Sequence, residues 1–212
     1  FSLHPLLFGR TLLPSLSHTV FTEFIAYVGI TGLLFTLGGF AALFTSRAER
    51  ARYIAPALLA CCGLFLALGA YNPLYFPLVK FIPGFNLFRV PARWLAIWAL
   101  GAALLAGIGY DRIITFPKHF RYRLALVLSA CIISLITLSF LSIGLTTAGE
   151  TGPLPMPTSL DTTAWIVALT ICLASLLFAP RKRAILLLLI AVELALASVH
   201  LPMNNLTTYD AY

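Results

Sequence analysis

Charge is what this chain has least of. Only 10% of its residues are Asp, Glu, Lys or Arg, against 60% that are hydrophobic, whereas a soluble globular domain carries roughly 25% charged residues. That ratio argues against a water-solvated fold and for a polytopic membrane protein. The formal net charge is +7, yet no basic stripe with interleaved aromatics is present, so nucleic acid is not an expected partner. Cys61, Cys62, Cys131 and Cys172 fall inside apolar runs without metal-ligand spacing, and the adjacent Cys61-Cys62 is not C-x-x-C. They read as free thiols behaving as small hydrophobes. His4, His18, His119 and His200 are scattered and form no ligand set, so we expect neither a metal nor a cofactor. Also missing are a phosphate-cradling glycine loop, a nucleophile elbow and a nucleotide fingerprint. No charged segment followed by a short apolar one marks a signal peptide. The chain opens at Phe1 and closes on polar Asp210-Ala211-Tyr212. Both ends read as cut, so the expectation is a piece of a longer protein, whose other helices would be partners of this one.

What the chain does have is long apolar runs. They predict an all-α transmembrane bundle of about six spanning helices, over roughly 20–44, 53–70, 91–110, 124–145, 162–179 and 184–201, forming a single region across 1–212. Helices follow because lipid cannot satisfy open backbone, and the alternating pattern of a barrel is absent. Residues 1–19, with Pro5, Gly9, Arg10 and Pro14, read as an irregular flank. Small residues at Ala102/Ala106 and Ala103/Gly107 suit close packing of the third span. Six spans place the connectors alternately on two sides. One side holds Arg47, Arg50, Arg52, Arg112, Lys118, Arg121, Arg123, Arg181, Lys182 and Arg183; the other holds Arg10, Lys80, Arg89 and Arg93. The positive-inside rule puts the first set in the cytoplasm and both termini outside a cell membrane. Most of the net charge is thus a topology signal.

The irregular outer loop over 71–90 and the helix start after it break this pattern. Pro73, Pro77, Pro83 and Pro91 interrupt the hydrophobicity, with Asn86 and two arginines four residues apart, Arg89 and Arg93. Pro91 suits the first turn of a helix, which places Arg93 beside unpaired amides, a geometry that fits an anion and above all a phosphate. The competing reading has both arginines snorkelling to head groups or pinning the loop. Leu74 to Ile82 is expected to lie along the membrane surface with Lys80 in the head-group layer, and the crowd of Tyr71, Tyr75, Phe76, Phe81, Phe85, Phe88 and Trp94 reads as an interfacial belt. Glu23, at the outer end of the first span, is placed to pair with Arg89 or Arg93. Glu193, near the middle of the sixth span, has two readings: a functional carboxylate, or an acid hydrogen-bonded to a neighbouring helix.

Three stretches carry a resemblance. Leu68-Gly69 with Asn72-Pro73-Leu74-Tyr75, then Ile82-Pro83-Gly84-Phe85-Asn86-Leu87-Phe88-Arg89-Val90-Pro91-Ala92-Arg93-Trp94, then Leu105-Ala106-Gly107-Ile108-Gly109-Tyr110-Asp111 resemble the bacterial YfhO-like family of large membrane proteins. Glu23 to Ile30 and the exit from Glu193 to Asn204 also fit. The resemblance implies a relative of the GT-C-type glycosyltransferases, which use a polyprenyl-phosphate-linked sugar in glycosylating the cell envelope. It implies the donor phosphate as the anion at Arg89 and Arg93; Glu23, Lys80, Asn86 and Glu193 are candidate supporting residues beside them. The catalytic base would lie upstream and is unassigned. Membrane lipids are further partners. Two alternatives stand beside this: a transporter or flippase of a lipid-linked precursor with Glu193 as coupling carboxylate, or a non-enzymatic scaffold.

Overall fold

The computed structural model describes residues 1–16, 20, 22–45, 50–85, 90–147, 152–178 and 183–199. Its elements are α1 (Phe8–Leu12), α2 (Ile30–Thr45), α3 (Arg50–Ala67), α4 (Tyr75–Phe81), α5 (Leu95–Arg112), α6 (Lys118–Leu141), α7 (Ser159–Phe178) and α8 (Arg183–Val199), with 3₁₀ turns at Pro5–Leu7, Thr22–Phe24, Gly69–Tyr71 and Pro91–Trp94. No strand occurs among the described residues. Among the described residues, four stretches are long and apolar enough to cross a membrane: Arg50–Ala67, Pro91–Arg112, Lys118–Leu141 and Ser159–Phe178. The apolar cores of α2 and α8, Ile30–Phe44 and Ala184–Val199, are shorter.

The shortness of α2 corrects the expected span over 20–44. Residues 25–29 are irregular rather than helical, and Gly29 takes a φ of 77°, where any side chain would be strained. Ala26 spends its amide on the Thr11 carbonyl at 3.0 Å instead of on a helical turn. The helix that follows has 16 residues, about 24 Å, against the roughly 30 Å of a hydrocarbon core. Its N-terminus therefore opens among buried residues, and its first amides need a partner from elsewhere in the chain.

Close backbone contact fixes the centre of the bundle. α5 lies between α2 and α3. A Cβ added to Gly109 would run into the Phe35 carbonyl, and one added to Gly101 into the backbone at Ala60. Thr36 on α2 donates its hydroxyl to the Ala102 carbonyl on α5 at 3.1 Å and to its own Gly32 carbonyl at 2.8 Å. The packing face of α5 is thus Gly101, Ala102, Leu105 and Gly109. Ala103 and Gly107 point away, with open space beside Gly107, which corrects one of the two expected small-residue pairs. Approach at this distance lets dispersion and weak polar contacts hold helices together where lipid removes the hydrophobic drive.

Hydrogen bonds tie neighbouring helix ends together. At one end, Arg50 Nε donates to the Leu43 carbonyl (3.0 Å), Arg112 to the Tyr53 hydroxyl (3.0 Å) and Arg121 to the Leu176 carbonyl (3.2 Å). Cations there close the carbonyl-rich C-termini of α2 and α7. The other end is covered by residues 1–16, which pack into the fold. Leu3, Leu7, Leu12 and Leu13 are buried, Leu3 N donates to the Ala67 carbonyl (3.0 Å), and α1 seats Gly9 against Leu135 and Ser139 of α6. We call these the basic end and the loop end.

A capping box starts α7 earlier than the apolar run alone predicts. Thr158 Oγ1 accepts from the Asp161 amide (3.3 Å), while Asp161 Oδ2 accepts from the Thr158 amide (3.1 Å) and hydroxyl (2.8 Å). The other carboxylate oxygen of Asp161 accepts from the Leu16 amide at 2.6 Å. Trp165 Nε1 donates to the Pro14 carbonyl at 2.7 Å. Arg10 donates to the Ser142 hydroxyl (2.7 Å) and the Pro155 carbonyl. One carboxylate thereby caps a helix and clasps the N-terminal segment to it.

Candidate functional site

The site is built at the loop end, where the connection after α3 meets the start of α5. Asn72 shapes the exit from α3: its side-chain amide donates to the Phe65 carbonyl (2.9 Å), and its oxygen accepts from the Leu74 amide (3.0 Å), an Asx turn that stops the helix. α4 follows as a short helix whose Tyr75 is buried. Phe85 packs edge-on against Tyr75 at 5.4 Å and stacks on Trp94 at 5.7 Å. Burial pushes the Tyr75 hydroxyl above the usual phenol range, and a hydrogen bond with Trp94 opposes it. Leu74, Phe76, Phe81 and Ile82 are exposed, so the face of α4 turned away from the bundle is apolar. Lys80 sits among them with its ammonium 5.6 Å from the Phe81 ring centre.

Arg93 lies in the 3₁₀ turn Pro91–Trp94 that runs into α5. Its Nη2 and Nε both donate to Glu23 Oε1, at 2.8 and 3.1 Å. The guanidinium side chain is 69% exposed and the carboxylate side chain 25%. Of the two expected partners for Glu23, Arg93 is the one brought to it. Arg89 and Asn86 lie outside the described residues. Glu23, Ile25, Ala92, Arg93, Leu95, Ala96 and Ala99 line an opening of about 400 Å³. The expected free amides at this helix start are not there. Ala92 N donates to the Phe1 carbonyl (3.2 Å) and Arg93 N to the Val90 carbonyl (3.1 Å), and Pro91 has no amide to offer. What an incoming group meets is the side-chain pair.

Glu193 is held in the interior, 8% exposed. Thr31 N donates to its Oε2 at 3.2 Å, Thr31 Oγ1 to its Oε1 at 3.0 Å, and the Ile30 amide also donates to it. Cys172 Sγ lies 3.2 Å from the same Thr31 hydroxyl. The carboxylate therefore caps α2, supplying the partner that its buried first turn requires. Of the two sequence readings, the hydrogen-bonded acid describes this geometry. Glu193 also lines an otherwise apolar crevice of about 270 Å³ between α7 and α8, with Trp165, Ala168 and Leu189 among its walls.

The two carboxylates share a task. Residues 22–29 are pinned at Glu23 by Arg93, at Ala26 by the Trp98 indole (3.1 Å to the carbonyl), and at their far end by Glu193 against Gly29 and Thr31. Glu23 and Glu193 thus hold opposite ends of one irregular segment. Comparison with protein-family models, with curated proteins and with solved structures finds no match for this chain.

Proposed function

We propose that this chain is part of a multi-pass cell-membrane enzyme that transfers a sugar from a polyprenyl-phosphate donor in cell-envelope glycosylation. The observation that carries this reading is the exposed guanidinium of Arg93 beside an opening whose other wall is apolar α5. A lipid-linked phosphate has the matching layout. Its head group meets the cation while its chain runs along Leu95, Ala96 and Ala99 toward the bilayer. Guanidinium is the side chain best suited to hold phosphate oxygens, and charge held at a departing phosphate stabilises the leaving group. With the basic end in the cytoplasm, the loop end and Arg93 face outward, where lipid-linked sugars serve envelope polymers. The α2 and α8 cores complete six membrane-embedded helices. The YfhO-like resemblance, centred on the block that contains Arg93, supports the same reading.

The transporter alternative needs a mobile carboxylate in the membrane. Glu193 is occupied as a helix cap, so its position has a structural reason without a coupling role. Sugar transfer from a polyprenyl-phosphate donor, measured in membranes containing Arg93→Gln, is expected to fall at least about tenfold while insertion and thermal stability are kept, since a charge-assisted hydrogen bond contributes about 1.5–3 kcal/mol. Unchanged transfer would overturn the phosphate role.

A further inference from the structure

The Arg93–Glu23 pair has an asymmetry that a simple anion site lacks. Both bonded guanidinium nitrogens converge on one carboxylate oxygen, Oε1. The other oxygen of Glu23, Oε2, is buried and has no hydrogen-bond partner among the described residues. A buried carboxylate oxygen without a donor is costly and unusual in folded chains. Glu23 also lines the opening next to Arg93, and its last side-chain torsion is soft, so a small turn of the carboxylate presents Oε2 to a bound group. The pair as a whole is neutral. A bare phosphate is attracted by the guanidinium and repelled by the carboxylate beside it, and over such similar distances the two effects largely offset each other. A hydroxyl next to the phosphate changes this, because it donates to Oε2 and turns the repelling group into a partner.

We infer that Glu23 is a specificity residue, reading a hydroxyl adjacent to the phosphate that Arg93 holds, so that the opening takes a hydroxyl-bearing phosphodiester in preference to a phosphate alone. This rests on the donor-binding reading of Arg93 and narrows it. A sugar esterified to a lipid phosphate has the pattern: its phosphodiester is singly charged, and ring hydroxyls lie within a few bonds. A phospholipid with a glycerol head group shares that chemistry, so the two sources have to be separated by measurement.

The test uses the purified full chain in phosphatidylcholine nanodiscs and two short-chain probes, a polyprenyl glucosyl phosphate and a polyprenyl methyl phosphate. They carry the same single charge and differ in hydroxyls. The wild type is expected to bind the glucosyl ester about tenfold or more tighter, the contribution of one hydrogen bond to a charged group. In Glu23→Ala the two affinities converge to within roughly threefold, and the methyl ester binds more tightly than to the wild type because the repulsion is gone. Glu23→Asp keeps the preference. Equal binding of the two esters by the wild type overturns the inference, as does a preference that survives Glu23→Ala. If Glu23→Ala does not insert, the wild-type comparison decides alone. Arg93→Gln separates the two claims: weakened binding of both esters without any hydroxyl preference leaves the phosphate role standing, whereas no change in either removes it. Phosphatidylglycerol added at equal concentration is expected not to displace the glucosyl ester. Displacement that depends on Glu23 would assign the pair to bulk lipid and overturn the sugar reading.

Discussion

Replacing Glu193 by leucine keeps the side chain's bulk and removes every acceptor it presents to α2. Three donors lose their partner: the Thr31 amide at 3.2 Å, the Thr31 hydroxyl at 3.0 Å, and the Ile30 amide. The hydroxyl has a second neighbour in Cys172 Sγ at 3.2 Å, so the cost falls on the two amides. A buried N–H left unpaired costs about 1–3 kcal/mol, and an N-cap contributes about 1 kcal/mol by itself. Because the two amides share one carboxylate, we expect a combined loss of about 2–4 kcal/mol rather than a full sum. Glu193→Gln keeps one acceptor oxygen and is expected to lose about 1 kcal/mol. Reversible unfolding in mixed micelles gives the free energies, and hydrogen exchange at Ile30 and Thr31 locates them. A Glu193→Leu protein within about 0.5 kcal/mol of wild type, with unchanged exchange at those amides, would refute the cap.

Gly109→Ala drives a methyl into the Phe35 carbonyl and is expected to destabilise by about 1–3 kcal/mol, while Gly107→Ala, which meets nothing within 4 Å, is expected to be neutral or slightly stabilising in the same unfolding assay. Asp161→Ala removes both the capping box of α7 and the clasp on Leu16. It should cost about 2–3 kcal/mol, against about 1 kcal/mol for Thr158→Ala, and limited proteolysis should release residues 1–16 faster in the former. Single cysteines placed at Lys80 and Lys118, in a background with the native thiols replaced, should react with an impermeant thiol reagent from opposite sides of the membrane; labelling of both from one side would break the alternating order of the helices.

The parts of the fold written in local apolar runs were legible in the sequence, and those set by distant partners were not. α3, α5, α6 and α7 each carry enough consecutive apolar residues to name themselves. The start of α2 does not, because Val20 to Phe44 is apolar almost throughout and hydropathy is the same for an extended segment as for a helix. What sets the start of the helix at Ile30 is Gly29 and the Glu193 carboxylate, 162 residues beyond Thr31. The Glu23–Arg93 pair spans 70 residues; charge scarcity on the loop end made it guessable, but no spacing rule leads to it. The pairing of the amides at the start of α5 has no local signal, because the acceptor for Ala92 is Phe1, 91 residues earlier. Thr158-Ser159-Leu160-Asp161 was different. That capping box is a local pattern ahead of an apolar run, and it would have placed the first turn of α7.

Photolabelling reads directly whether the donor sits against Arg93. A polyprenyl-phosphate sugar carrying a photoreactive group next to the phosphate, activated in membranes that contain the protein, should label the peptide over 90–99, with labelling lost in Arg93→Gln. Labelling confined to the crevice between α7 and α8, or labelling at 90–99 that Arg93→Gln leaves unchanged, would contradict that placement.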